Sequence, residues 1–164
     1  MTGGVLHVYF LRHGVAERRS EWSADDDERP LTAAGREAVR SAGATLMKLG
    51  FTADAVLTSP LTRARQTAEI VAGELGLQAV LQDEPRLGHG FGLSQLASIL
   101  ADNRSADALV LVGHEPDFSL AIETLTGARV VMKKGGLARV DVDDLDAPSG
   151  RLVWLLPPKV LNLW

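Results

Sequence analysis

The run Ala108–Val112 constrains this chain more than any other stretch. It is apolar without alternation, which marks a strand buried on both faces. Such a strand needs helices above and below it, and the rest of the chain supplies them. Val5–Leu11, Ala53–Thr58 and the short Gln78–Leu81 read as further strands, and Leu137–Val142 and Leu152–Leu156 as the last two. Thr32 caps a helix with Ala38, Ala42, Leu46 and Leu49 on its apolar face, and Gly50 ends it. Ser59-Pro60 reads as the N-cap and first position of a second helix, with Ala64, Ala68, Val71 and Ala72 inward and Gly76 as terminator. A Gly- and Pro-containing loop, Asp83–Gly92, precedes a helix near Leu93–Ala101. Gly113-His114-Glu115-Pro116 leads into a helix stopped by Gly127. The pattern predicts an α/β fold: helices on both faces of a mostly parallel sheet. With no repeat, low-complexity stretch or linker, residues 1–164 read as one domain.

In such sheets ligands bind beyond the carboxyl ends of the strands. Three segments leave strands at that edge, each with a cation or a histidine: Arg12-His13-Gly14, Ser59-Pro60-Leu61-Thr62-Arg63, and Gly113-His114. Brought together, two arginines and two histidines suit an oxyanion, phosphate first. Neutral imidazole, with an ordinary pKa of ~6.5, is available at pH 7 to attack phosphorus. Arg12, Arg63 and a protonated His114 would neutralise charge on the transferring group. Gly14 would let the backbone approach the anion, and Arg63 sits in a first helical turn, whose amino end favours anions.

Composition excludes several alternatives. The chain has no cysteine, which removes disulfides, thiolate metal sites and thiol catalysis and is compatible with a cytoplasmic location. Its net charge of -4 lacks the basic stripe expected for nucleic acid. Met1–Phe10 has no basic start followed by a long apolar stretch, so no signal peptide is read, and no apolar run is long enough for a membrane span. Four histidines, none in an i, i+4 pair, argue against a metal site, and no cofactor is expected.

Leu11-Arg12-His13-Gly14 resembles the signature of the histidine phosphatase (phosphoglycerate mutase-like) superfamily. Thr58–Ala68 and Val112-Gly113-His114-Glu115-Pro116 resemble that family's second and third blocks. Arg29-Pro30-Leu31-Thr32-Ala33-Ala34-Gly35 and Lys133–Val140 are similar to the SixA-like branch, the phosphohistidine phosphatases. The resemblance implies a three-layer α/β/α sandwich, His13 as nucleophile, and Arg12, Arg63 and His114 around the phosphate. It also implies a phosphorylated protein or a small phosphorylated molecule as the partner. Larger family members carry a carboxylic acid in the loop after the third strand, to protonate the leaving group. Here that loop offers Glu84, without a clear register. Ser59, Arg29, Arg86 and His89 are further candidates for substrate contact, Arg86 and His89 being equally readable as plain loop.

Other residues have plainer readings. His7 reads as a satisfied polar residue, Arg65 as a helix-surface partner of Glu69, and Asp25–Asp27 as a solvated loop. Glu115 is either an acid or a helix-start residue, and Gly135-Gly136 a turn before a strand, with pocket lining the lesser reading. Leu156–Trp164 either closes over the core or meets a second subunit. The expected function is a metal-independent phosphatase acting on phosphohistidine or another group with a good leaving group. A small-molecule phosphomonoesterase is the alternative within the enzyme class, and an inactive phosphate-binding module the alternative outside it.

Overall fold

In the computed structural model, which describes residues 4–163, the apolar run becomes β4 (Ala108–Gly113), buried from Leu109 onward. The other strands are β1 (Leu6–Arg12), β2 (Ala55–Thr58), β3 (Leu81–Asp83), β5 (Leu137–Asp144) and β6 (Ser149–Leu156). They form one sheet in the order β3-β2-β4-β1-β5-β6. The first four in that order run parallel; β5 adds antiparallel to β1, and β6 antiparallel to β5. The helices are α1 (Ala33–Lys48), α2 (Thr62–Leu75), α3 (Leu93–Asp102), α4 (Asp117–Thr126) and the single turn α5 (Pro158–Leu161).

Strand alternation divides the core into two layers. Leu6, Val8 and Phe10 of β1 point with Leu109 and Leu111 toward α3 and α4, where Phe10 meets Phe118 edge to face at 5.1 Å. Tyr9 and Leu11 point with Val110 and Val112 toward α1 and α2. The expected arrangement, helices on both faces of a sheet, is therefore the one found. Among the described residues no helix is long and apolar enough to cross a membrane.

The structure corrects several details. Gln78–Val80 is a 3-10 turn, and the third strand begins at Leu81, which pairs with Val56. The chain needs that turn to reach the sheet edge after α2 ends on left-handed Gly76. Helix α2 starts at Thr62, with Leu61 rather than Ser59 at its N-cap. Ser59 is still held to the sheet, its N–H donating to Val112 O at 2.9 Å, so the backbone turns only after it. Leu49 is 71% exposed; Val39 occupies the buried stripe of α1, and Phe51 packs on Tyr9 just beyond the helix. The Thr32 cap forms as expected, its hydroxyl accepting from Gly35 N. The C-terminal segment closes over the core through Leu161, whose carbonyl accepts from Thr45 Oγ1 at 2.8 Å. Trp164 of that segment and the first three residues of the Met1–Phe10 stretch lie outside the described residues.

Candidate active site

Strand register assembles the site. Arg12 lies opposite Gly113 in the β1–β4 ladder, and Thr58 opposite Val112 in the β2–β4 ladder. One step further along each strand brings His13, His114 and Ser59 side by side at the carboxyl edge. The two imidazole centroids are 5.3 Å apart, and His114 Nε2 lies 2.8 Å from Ser59 Oγ. Arg63 enters from the first turn of α2.

His13 is buried, and its orientation is fixed by its own backbone. Nδ1 lies 2.7 Å from the carbonyl oxygen of Gly14. A carbonyl only accepts, so Nδ1 carries the proton and Nε2 keeps its lone pair. The segment is pinned on both sides. His13 N–H donates to Gly113 O, Gly14 N–H donates to Thr67 Oγ1 at 3.1 Å, and Gly135 N–H reaches the carbonyls of Arg12 and His13. Gly135 makes that approach with φ +79, in the left-handed region that glycine adopts freely. The turn expected at Gly135-Gly136 thus braces the site.

The cations are held from behind. Arg12 Nη1 donates to Met132 O at 2.8 Å, and Arg63 Nη1 to Asp26 O at 2.9 Å, with the Asp26 carboxylate 3.4 Å from Nη2. Buried polar atoms normally have partners. Among the described residues only four buried side-chain polar atoms lack one, and three belong to this cluster: Arg12 Nε, Arg63 Nε and His114 Nδ1. The two arginine Nε–H groups are donors without a partner, which suits a ligand rich in acceptor oxygens. Burial lowers the pKa of both arginines, which stay cationic. Burial also pushes His13 down to about 3; the Gly14 carbonyl opposes this, and the charges of His114, Arg63 and Arg12 add to it. His114 is pushed down to about 4, by burial first and then by Arg63 and His89. Both imidazoles are therefore neutral at pH 7, including His114, which the sequence reading had protonated.

The remaining candidates divide. The N–H of Gly14 is taken by Thr67, and Val39 of α1 lies where a side chain would go, a built Cβ falling 2.6 Å from Val39 Cγ2. Glu84 and Arg86 grip each other, with bonds of 2.8 and 2.7 Å. Arg86 reaches onward to Ser98 and Asp102 on α3, so both groups are taken up by each other and by α3. Arg29 stands one step back, bonding Asp26 Oδ1 and Glu17 O. His89 meets Asp27 at 2.7 Å. Glu115 accepts from Ser119 N at the start of α4, the helix-start role. Arg65 pairs with Glu69, and also with Asp83; His7 pairs with Asp141.

Sequence reasoning missed Thr67 and Asp26. Thr67 lies four residues after Arg63 and accepts from Gly14 while donating to Arg63 O; the i, i+4 spacing was the available signal. Asp26 was hidden in a run read as solvated, yet it holds Arg63, Arg29 and Arg19. Among the described residues no group of three or more histidine and carboxylate side chains is placed to hold a metal ion.

The family model described as "Histidine phosphatase superfamily (branch 1)" matches residues 8–88. The chain belongs to the histidine phosphatase superfamily. The match spans Arg12, His13 and Arg63; His114 follows it in sequence and joins them through β4. This histidine phosphatase is 37% identical over 142 residues to an uncharacterized protein of Picosynechococcus sp., covering 80% of this chain and 82% of that one. It is 38% identical to the probable phosphoglycerate mutase GpmB of Enterobacter sp. over 51% of this chain, which spans only 37% of the mutase. Its fold superposes on the protein histidine phosphatase SixA complexed with tungstate with a TM-score of 0.83 and 25% identity, covering 94% of this chain and 98% of that one. The phosphoglycerate mutase-like α/β fold and the assignment as a phosphatase follow.

Proposed function

We propose that this histidine phosphatase takes a phosphoryl group onto Nε2 of His13 and passes it to water, with phosphohistidine, or another phosphorylated group with a good leaving group, as substrate. The observation that carries the reading is the His13 tautomer: Nδ1 is fixed on the Gly14 carbonyl, so Nε2 is the nitrogen free to attack, beside the buried Arg63 and the half-buried Arg12. Nε2 attacks phosphorus as the bond to the leaving atom breaks, and that atom takes the electron pair. Arg12 and Arg63 balance the charge on the equatorial oxygens, and the N–H of His114 donates to them. Water then attacks the phosphohistidine, and the P–N electron pair returns to His13. No metal is needed, because imidazole replaces an activated water and guanidinium groups replace the cation's charge.

The substrate class is supported by the likeness to SixA and by the state of Glu84. Bonding to Arg86 holds the Glu84 carboxyl below the usual range. A deprotonated, engaged carboxylate is a poor proton donor, so leaving groups needing little protonation are favoured, and one that needs a proton must take it from a group other than Glu84. The whole chain is read as one domain, acting on a phosphorylated protein or small molecule in the cytoplasm, without nucleic acid or membrane. Parallel turnover of a phosphohistidine peptide, an aryl phosphate and a sugar phosphate tests it. The peptide and aryl phosphate should lead, and His13→Ala should abolish all turnover while leaving the fold intact. A phosphoenzyme trapped on His13→Ala refutes the assignment.

A further inference from the structure

The loop between β1 and α1 and the loop between β3 and α3 are joined by a hydrogen-bonded pair, His89 Nε2 with Asp27 Oδ1 at 2.7 Å. Nothing in the mechanism above uses it. We infer that His89 is the proton donor to the leaving group, with Asp27 as its positioning residue; this rests on the proposed transfer to His13.

Four observations carry the inference. The position of the pair follows from its neighbour: Asp26, adjacent to Asp27, accepts from Arg63 Nη1 through its carbonyl, with its carboxylate 3.4 Å from Nη2. The pair therefore stands beside the Arg63 side of the site. The ring is also presented correctly. With Nε2 on the carboxylate, Nδ1 is left for another partner, on a side chain 76% exposed. His89 sits on a tight turn between Gly88 and Gly90, the latter at φ +80, which sets the ring at the loop's tip.

The third observation is the arrangement itself, a carboxylate backing an imidazole, which orients the ring. The fourth is elimination. Glu84 is bound to Arg86, Asp26 is shared by Arg29 and Arg63, and Glu115 is turned to Ser119 N. Asp117, whose carboxyl burial pushes up, lines a separate hollow with Phe91 and Leu93.

The step balances. As His13 Nε2 bonds to phosphorus, the P–O bond breaks, its electron pair stays on oxygen, and the Nδ1 proton of the His89 imidazolium passes to that oxygen. An alcohol departs and His89 is left neutral. In the second step neutral His89 Nδ1 takes a proton from the attacking water, the P–N bond breaks toward His13, and phosphate leaves with His89 again protonated.

The test compares 4-nitrophenyl phosphate, whose leaving group needs little help, with glycerol phosphate, whose alkoxide needs a proton. His89→Asn should lower kcat/KM for both, but unequally: on the order of 10²–10³-fold for glycerol phosphate and under about 10-fold for the nitrophenyl ester. Asp27→Asn should lower kcat rather than raise KM on glycerol phosphate, and Asp27→Glu should recover part of the loss. Equal losses on the two esters, or none on either, overturn the donor role. Turnover surviving in His13→Ala instead overturns the transfer on which it rests.

Discussion

Gly14→Ala separates two reasons for a glycine beside the nucleophile, access for the anion and space for the fold. The residue does not adopt positive φ, and its N–H is committed to Thr67, so the structure points to space. An added Cβ would lie 2.6 Å from Val39 Cγ2, about 1 Å inside the ~3.5–4.0 Å of ordinary contact. Val39 cannot easily retreat. Helix α1 is fixed at its start by the Thr32 cap and by Gly35, where a Cβ would fall on the carbonyl of Val15. The displacement therefore goes into His13–Gly14. Overpacking of this kind costs about 1–3 kcal/mol. A nucleophile moved by ~1 Å loses on the order of 10²-fold in turnover. Val39→Ala alone should cost about 2 kcal/mol, two buried methyl groups plus a small cavity, with most activity kept. In Gly14→Ala/Val39→Ala the new methyl fills the vacated space. Destabilisation should then fall short of the sum by about 0.5–3 kcal/mol, and turnover should recover at least about 10-fold over Gly14→Ala. Urea unfolding and aryl phosphate turnover on the four proteins decide it. Additive losses with no recovery refute the packing argument and return Gly14 to the anion.

Thr67→Val keeps shape but strands the buried Gly14 N–H; it should cost about 1–3 kcal/mol in urea unfolding and lower kcat through the loosened His13 segment. His13 and His114 have folded pKa values of about 3 and about 4, below the ~6.5 of an unfolded histidine. The unfolded chain therefore binds more protons below pH ~6.5, and stability should fall as pH drops from there toward 4. Urea midpoints at pH 7.5 and 5 measure this, and His13→Ala/His114→Ala should flatten the difference. Exhaustive chelation should leave turnover unchanged, and vanadate, a mimic of five-coordinate phosphorus, should inhibit; a metal-reversible loss contradicts the mechanism.

The parts of the site legible in the sequence are those dictated by strand ends. Once Ala108–Val112 is a central strand, His114 must emerge at its carboxyl end, and parallel pairing with β1 delivers His13 beside it. Arg63 follows because a strand end leads into its helix. What escaped is set by long-range approach. Thr67 becomes important only when α2 is laid against β1, and Asp26 only when its loop folds onto Arg63. Asp25–Asp27 has the composition of a solvated loop, and composition carries no record of which cations face it. Ser59 as a cap failed for a similar reason: Ser-Pro is a sound local signal, but the first helical bonds go to the Leu61 carbonyl, and the Ser59 hydroxyl is drawn to His114 across the sheet edge.

These two classes of residue do different chemical work. The elements that sequence reads well hold the groups proposed to bind and attack phosphorus, and they are braced by backbone bonds from three strands. The loops that it reads poorly hold Asp26, which steadies Arg63, and the Asp27–His89 pair proposed to meet the leaving group. A phosphoryl group is the same in every substrate, so its site can be built into the rigid sheet edge. Leaving groups differ from substrate to substrate, and the residues that meet them sit where substitution costs the fold least. Selectivity among phosphorylated substrates should thus change with the His89 and Asp27 loops, while the geometry around His13 stays as it is.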